Sequence, residues 1–428
     1  MKRSLLLVLA ASLATTLSAQ PSTAEGRELP FGVTTPSAAE PGSNLTVFLL
    51  TMGPGDQVWE KFGHNAIWIH DAAKGTDIAY HWGLFDFADK EFVPRFILGR
   101  MRYSMGAFDF DQTIEAYRQT NRTVWVQQLN FTPAQRQKLA DFVAWNVLPE
   151  NRFYHYDYFR DNCSTRVRDA LDAALGGVIR RETENVPSHS TYRFHTARLT
   201  QDDWGVFTGT MYGLGEPVDR EISAYEEMFL PVQMMNRLRS VKVGNQPLVA
   251  SEHVLFQSTR PPEDVKVRRG MSGYLAIALV IIATGIALWL IGGKGRSFTG
   301  VLTFAAVWSF VAGLAGFVLT FLWAFTDHLY SYRNENVMQF NPLSLFLFVG
   351  LVMTAVKTRG ERNALPSPWV MWFARAVALI SLLGFVLQVL PRLDQVNADA
   401  IALALPVHIA VVVLLVEIKR RAIRATAA

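Results

Sequence analysis

Residues 158–175, YFRDNCSTRVRDALDAAL, decide how the rest of the chain is read. Val167, Ala170, Leu171, Ala174 and Leu175 recur at helical spacing and share one face. Asp161-Asn162 places short polar side chains where a helix start is capped. The stretch predicts a helix over 163–175 with Cys163 in its first turn. Unpaired N–H groups and the helix dipole at that position favour a thiolate. The same N–H groups suit the oxyanion of a tetrahedral intermediate. Cys163 is the one cysteine in 428 residues, which excludes an intrachain disulfide and a Cys-rich zinc site. Lone cysteines commonly serve packing; the helix-start position is what argues for chemistry.

Upstream, Leu45–Met52 reads as a strand, followed by the turn Gly53-Pro54-Gly55-Asp56. His64–Ile69, Ile78–Trp82 and Val124–Leu129 are further β-branched and aromatic runs. Phe131–Asn146 contains Thr132-Pro133, a good cap and first position for a helix. The organisation is α+β, with strands between the histidines and the cysteine. His64, in Phe62-Gly63-His64-Asn65, lies at the mouth of a strand, where it can face a helix N-terminus and act as general base toward Cys163. His81, in Tyr80-His81-Trp82-Gly83, is placed by antiparallel pairing to orient the imidazole; His70 and Asp71 are substitutes. Any single histidine among nine is more often a surface or strand-end residue. His155, amid Tyr154, Tyr156 and Tyr158, reads as packing or a substrate wall. A zinc site from His64, His70 and His81 lacks HExxH or comparable spacing, so neither metal nor other cofactor is expected.

Half of the chain is hydrophobic, 18% is charged, and the net charge is +4. The basic excess sits beside long apolar runs, which points to membrane topology and away from nucleic acid. Lys2-Arg3, the short apolar run Ser4–Thr16 and Leu17-Ser18-Ala19 read as a signal peptide over 1–19. A Pro/Ser/Thr/Ala-rich linker follows over 20–44, an exported domain over 45–270, and a membrane domain over 271–428. Five spans are expected: Gly273–Ile291, Phe298–Phe325, Pro342–Val356, Trp369–Leu390 and Ala400–Val416. The third and fifth are short for a hydrocarbon core needing about 20 residues, so they recruit flanking residues. Lys294, Arg296, Lys357, Arg359, Arg362, Lys419, Arg420, Arg421 and Arg424 fall on one side, Arg333 and Arg392 on the other. By the positive-inside rule the C-terminus is cytoplasmic and the N-terminal domain periplasmic, on a bacterial inner membrane. Asp327-His328, Asn334, Asn336 and Asn341-Pro342 form a polar cluster at the second and third spans, read as interfacial solvation or as a headgroup or lipid-peptide site. His408 lies inside the fifth span, beside Pro406.

The order of Gly63-His64 at a strand and Asn162-Cys163 at a helix start resembles the permuted papain-like group, which includes NlpC-type hydrolases and lecithin:retinol acyltransferase-like enzymes. Thr51–Gly55, Phe62–His64, His81–Phe87, Asp161–Asp169 and Glu227–Pro231 together resemble the Lnb-type lipoprotein N-acyltransferases. So does the Asp327-His328, Asn334 and Asn336 loop. The resemblance covers nearly the whole chain after the leader. It implies a permuted papain-like exported domain followed by an all-α bundle of five spans. It also implies transfer of an acyl chain from a phospholipid donor to the N-terminal amine of a diacylated lipoprotein. In that scheme Cys163 is the nucleophile, His64 the base and His81 the third residue, although the pattern expected at position 81 is Asn. Asn162, Arg166, Trp82, Tyr156, Asp327, His328 and Asn336 are then substrate-binding candidates, and the partners are the two lipids and the bilayer. A membrane-anchored cysteine hydrolase, either phospholipase or peptidoglycan peptidase, shares the first half-reaction. A receptor or assembly module with a structural Cys163 is the remaining class.

Overall fold

The computed structural model describes residues 40–292, 298–360 and 365–427. The expected signal peptide, most of the linker, and Lys294, Arg296 and Arg362 lie outside the described residues. The described chain forms two units. The first takes residues 40–190 and 221–263; the second takes 191–220 with everything from 264 onward.

The first unit is built on a seven-stranded antiparallel sheet. In chain order its strands are β1 (Leu45–Met52), β2 (His64–Asp71), β3 (Thr76–Leu84), β4 (Arg102–Asp109), β5 (Val124–Leu129), β6 (Phe153–His155) and β7 (Val249–Phe256). Their spatial order is β7-β5-β1-β2-β3-β4-β6. Four helices matter for the site: α1 (Phe92–Ile97), α2 (Phe110–Gln119), α3 (Pro133–Asn146) and α4 (Cys163–Ala174). β1 is buried along all eight residues, because both faces of the sheet are covered. On one face Phe48, Leu50, Met52, Ala66, Trp68 and Ala79 meet Phe110 and Ile114 of α2. On the other, Leu49, Ile67 and Trp82 meet Leu139 and Val143 of α3 and Val167 and Leu171 of α4.

The helix starts follow their sequence. Thr132 and Gln135 form a capping box with Pro133 in the first turn of α3. Asn162 caps α4.

The second unit contains five helices long and apolar enough to cross a membrane: Met271–Gly292, Thr299–Phe325, Asn336–Thr358, Pro368–Leu387 and Ala398–Arg421. The third is longer than its apolar run. It gains a turn at Asn336–Gln339 and then breaks before Leu343–Gly360, where Pro342 cannot continue the helix. Gly316 lets the third segment pack closely on the second span, since a Cβ there would sit 2.1 Å from the Phe340 carbonyl oxygen.

Helices Tyr192–Thr200 and Trp204–Gly213 group with the spans in the second unit. Buried polar bonding explains this. Arg193 grips Asp219 and donates to the carbonyls of Met211, Leu214 and Gly215. The amides of Asn334 and Asn336 both donate to the Tyr212 carbonyl. Breaking such a buried set leaves unpaired charge and amide groups, each costly.

Candidate active site

His64 opens β2 opposite Met52. The preceding Gly63 has φ 80°, and a Cβ there would lie 2.7 Å from the Met52 carbonyl oxygen, so the approach requires glycine. β2 and β3 pair with Ala66 opposite His81, which sets His64 and His81 as diagonal neighbours on one face. His64 Nε2 lies 3.0 Å from His81 Nδ1, with ring planes 13° apart. His81 Nε2 faces Thr113 Oγ1 of α2 at a long 3.5 Å. The Thr113 hydroxyl donates to the Asp109 carbonyl at 2.9 Å.

This chain of contacts favours one pair of tautomers. The Thr113 proton is used on Asp109, so its oxygen accepts from His81 Nε2–H. His81 Nδ1 then carries a lone pair and accepts from His64 Nε2–H. His64 Nδ1 is left as the basic nitrogen. Burial holds the His64 pKa well below 6.5, reinforced by His81 and the Arg122 charge. Burial alone holds His81 near 4. Both rings are neutral at pH 7.

Cys163 comes from the opposite face, at the first residue of α4. Two features of β3 let it reach the sheet. Pairing of β2 with β3 ends at Ala66–His81, and the β3–β4 register shifts between His81 and Leu84. Gly83, at φ 88°, lies in that gap, where a Cβ would sit 3.2 Å from Cys163 Cβ. The backbone N–H groups of Asn65, Ser164 and Cys163 itself act to stabilise the thiolate. Asn65 directly follows His64 in β2, which brings the strand of the histidine to the start of α4.

The thiolate expected at a helix start is not the resting form. The thiol keeps a partly open side, yet burial pushes its pKa up to about 11, outweighing those N–H groups and Arg122. The resting pair is neutral thiol and neutral imidazole.

Several expected residues take other roles. Asn162 was expected to bind substrate. Its oxygen accepts from the Ser164 and Thr165 N–H groups, and its amide donates to the Tyr158 and Phe229 carbonyls. That exhausts an Asn side chain, so Asn162 positions the start of α4. Trp82 is buried in the core, with its Nε1–H on Asn146 Oδ1 at 2.9 Å. His70 and Asp71, the alternatives to His81, are engaged with Asp77 and with the Ala73–Lys74 turn. Arg166 pairs with Asp161 and lies 4.2 Å over the Tyr154 ring. Tyr156 is half-buried and stacks on Tyr103 at 4.2 Å, while His155 is exposed. Asp327 and His328 follow the second span, where the His328 N–H donates to Thr326. Asn336 is fully buried and holds the Tyr212 carbonyl, so it braces the second unit instead of lining an open surface.

Other residues of the site had no mark in the sequence. Asn65 is fully buried and accepts from the Ser164 hydroxyl at 2.7 Å, tying α4 to β2. The same hydroxyl lies 2.7 Å from the Met228 carbonyl oxygen, so the Glu227–Pro231 stretch serves the site through its backbone. Arg122 is buried against the Gly53 carbonyl, pairs with Glu60 at 3.4 Å, and sits 4.7 Å over Tyr117. Tyr117 stacks on His64 at 6.3 Å. Tyr154 Oη is buried without a hydrogen bond of normal geometry, and burial and Cys163 hold its pKa well above 10.

The arrangement sets a lone thiol at a helix start, backbone N–H groups that favour its anion, and a buried pair of neutral imidazoles on the neighbouring strands. Residues 37–198 match the family model of the Lnb N-terminal periplasmic domain, and residues 270–422 match that of the Lnb transmembrane domain. No curated protein and no solved structure matches the chain. The two models together span most of the sequence in the order that the structure displays, and the chain accordingly belongs to the Lnb family, as a bacterial inner-membrane protein of lipoprotein maturation with a periplasmic N-terminal domain and five membrane helices.

Proposed function

We propose that the protein moves a fatty acyl chain from a phospholipid to the N-terminal amine of a diacylated lipoprotein through a thioester on Cys163. The observation that carries this reading is the sulfur of Cys163 set among three N–H groups, one strand residue from a histidine with Nδ1 left basic. In the first half-reaction His64 Nδ1 takes the thiol proton as sulfur attacks the ester carbonyl. The N–H groups of Asn65 and Cys163 stabilise the oxyanion. Collapse breaks the ester C–O bond, and the lysophospholipid oxygen leaves with the proton from His64. In the second half-reaction the neutral lipoprotein amine attacks the thioester, His64 takes one amine proton, and the amide forms as sulfur leaves and is reprotonated. This is a ping-pong sequence. The Lys and Arg residues that flank the spans favour a cytoplasmic C-terminus, which leaves the catalytic domain on the lipoprotein side.

The test is mass spectrometry of a reporter lipoprotein's N-terminal peptide in cells lacking their own N-acyltransferase. The expected result is an amide-linked acyl chain that appears with this protein and is lost in Cys163→Ala and His64→Ala, with protein abundance unchanged. Full activity of Cys163→Ala would rule out the thioester.

A further inference from the structure

Beside the cysteine lies an aromatic surface that the folded domain leaves uncovered. It starts at Phe85, two residues after the Gly83 that abuts Cys163. Phe85 packs on Phe87 at 5.0 Å, on Phe92 of α1 at 5.6 Å and on Tyr103 of β4 at 5.1 Å. Trp59 contacts Phe87 at 5.3 Å, and Phe96 continues the row from Phe92 at 6.3 Å. Tyr103 in turn stacks on Tyr156 at 4.2 Å. Trp59 and Phe87 are each 49% exposed and Phe96 is 45% exposed. Large aromatics left half in water, in mutual contact and beginning just past the strand whose Gly83 abuts Cys163, mark a ligand surface rather than ordinary surface scatter.

We propose that this row is the subsite for the fatty acyl chain carried on Cys163. The proposal rests on the thioester reading of the preceding subsection. An acyl group on the sulfur has few directions in which to extend. α4 lies behind the cysteine, the capped α4 start is fixed by Asn162 and Ser164, and Asn65 closes the β2 side. The Gly83 side leads onto Phe85 and the row beyond it. The partner chemistry fits, because the rings contact one another in a row; beside them Arg95 and Asp89 bond to each other, and Asp86, Lys90 and Glu91 of the same stretch are exposed to solvent. Covering the track with methylenes removes two apolar surfaces from water at once and shields the thioester from hydrolysis. Full burial of a methylene is worth about fourfold in binding, and a track open on one side about twofold.

The test uses the full-length protein in detergent with phospholipid donors of short and long acyl chains, reading Cys163 thioester by mass spectrometry and lysophospholipid release. Wild type should favour long chains. The Trp59→Ser/Phe87→Ser double variant should lower the long-to-short ratio of kcat/KM by about tenfold, while Phe87→Leu retains most of it. Thermal melting and the alkylation rate of Cys163 check that the double variant is folded. An unchanged chain-length ratio in a folded double variant overturns the subsite alone. An equal loss for all chain lengths that tracks weaker vesicle binding identifies the row as a bilayer contact and also overturns it. Absence of a thioester in wild type with every donor overturns the acyl-transfer reading, and the subsite with it.

Discussion

His64 Nε2 and His81 Nδ1 lie 3.0 Å apart across the β2–β3 pair. With Thr113 beyond them, a threonine of α2 favours Nδ1 of His64 as the basic nitrogen. Thr113→Val removes the acceptor for His81 Nε2–H and lets His81 turn its proton toward His64. The expected result is a fall in kcat of about tenfold with little change in KM, restored by Thr113→Ser. His81→Ala should cost about 10- to 100-fold, the scale of losing a group that orients a catalytic histidine. Steady-state kinetics of the three variants checks this, and full activity of His81→Ala would remove it from the site.

The pH profile should depart from that of an ordinary histidine enzyme. Burial lowers the pKa of His64 well below 6.5 and that of His81 to about 4, so both stay neutral as pH falls through 6.5. kcat/KM should be flat across that value and decline only in stronger acid. An inflection at 6.5 would contradict the buried neutral pair. Stability follows the same sign. Below 6.5 the unfolded chain takes up protons that the folded pair refuses, so the unfolded state binds more protons and stability falls with acidification. On the alkaline side, Cys163 is a neutral thiol until its pKa of about 11. Its alkylation by iodoacetamide should be slow at pH 7 and rise steadily toward pH 11, whereas rapid labelling at pH 7 would indicate a resting thiolate.

Asn162 should reveal itself in stability as well as activity. Asn162→Ala removes the cap of α4 and the donors to two carbonyls, those of Tyr158 and Phe229. The expected loss is about 2–4 kcal/mol, combining a cap of about 1 kcal/mol with unpaired buried carbonyls. Asn162→Asp keeps the acceptor oxygen and loses the donors, so it should fall between Ala and wild type. Thermal or urea unfolding measures this, and equal stability of all three would return Asn162 to the pool of residues free to bind substrate.

Much of this was legible in the sequence, because it depends on local chemistry. Thr132-Pro133 and Asn162 cap helices through their own neighbours, and the β1 and β5 strands begin and end where their apolar runs do. Apolar segments of about 20 residues satisfy their own backbone in lipid as helices, and five such helices are present among the described residues. The two histidines and the cysteine were readable as residue types at a strand mouth and a helix start. Tertiary structure decided the rest. The side of β2 to which α4 packs, and the bulge at Gly83 that lets Cys163 cross to the sheet plane, depend on pairing between distant strands. Thr113, Arg122 and Asn65 joined the site only when strands and helices far apart in sequence came together. The same packing reversed the expected charge of the thiol. A helix start favours the thiolate locally, but the density of protein around the sulfur is a property of the whole fold, and desolvation is the larger of the two effects.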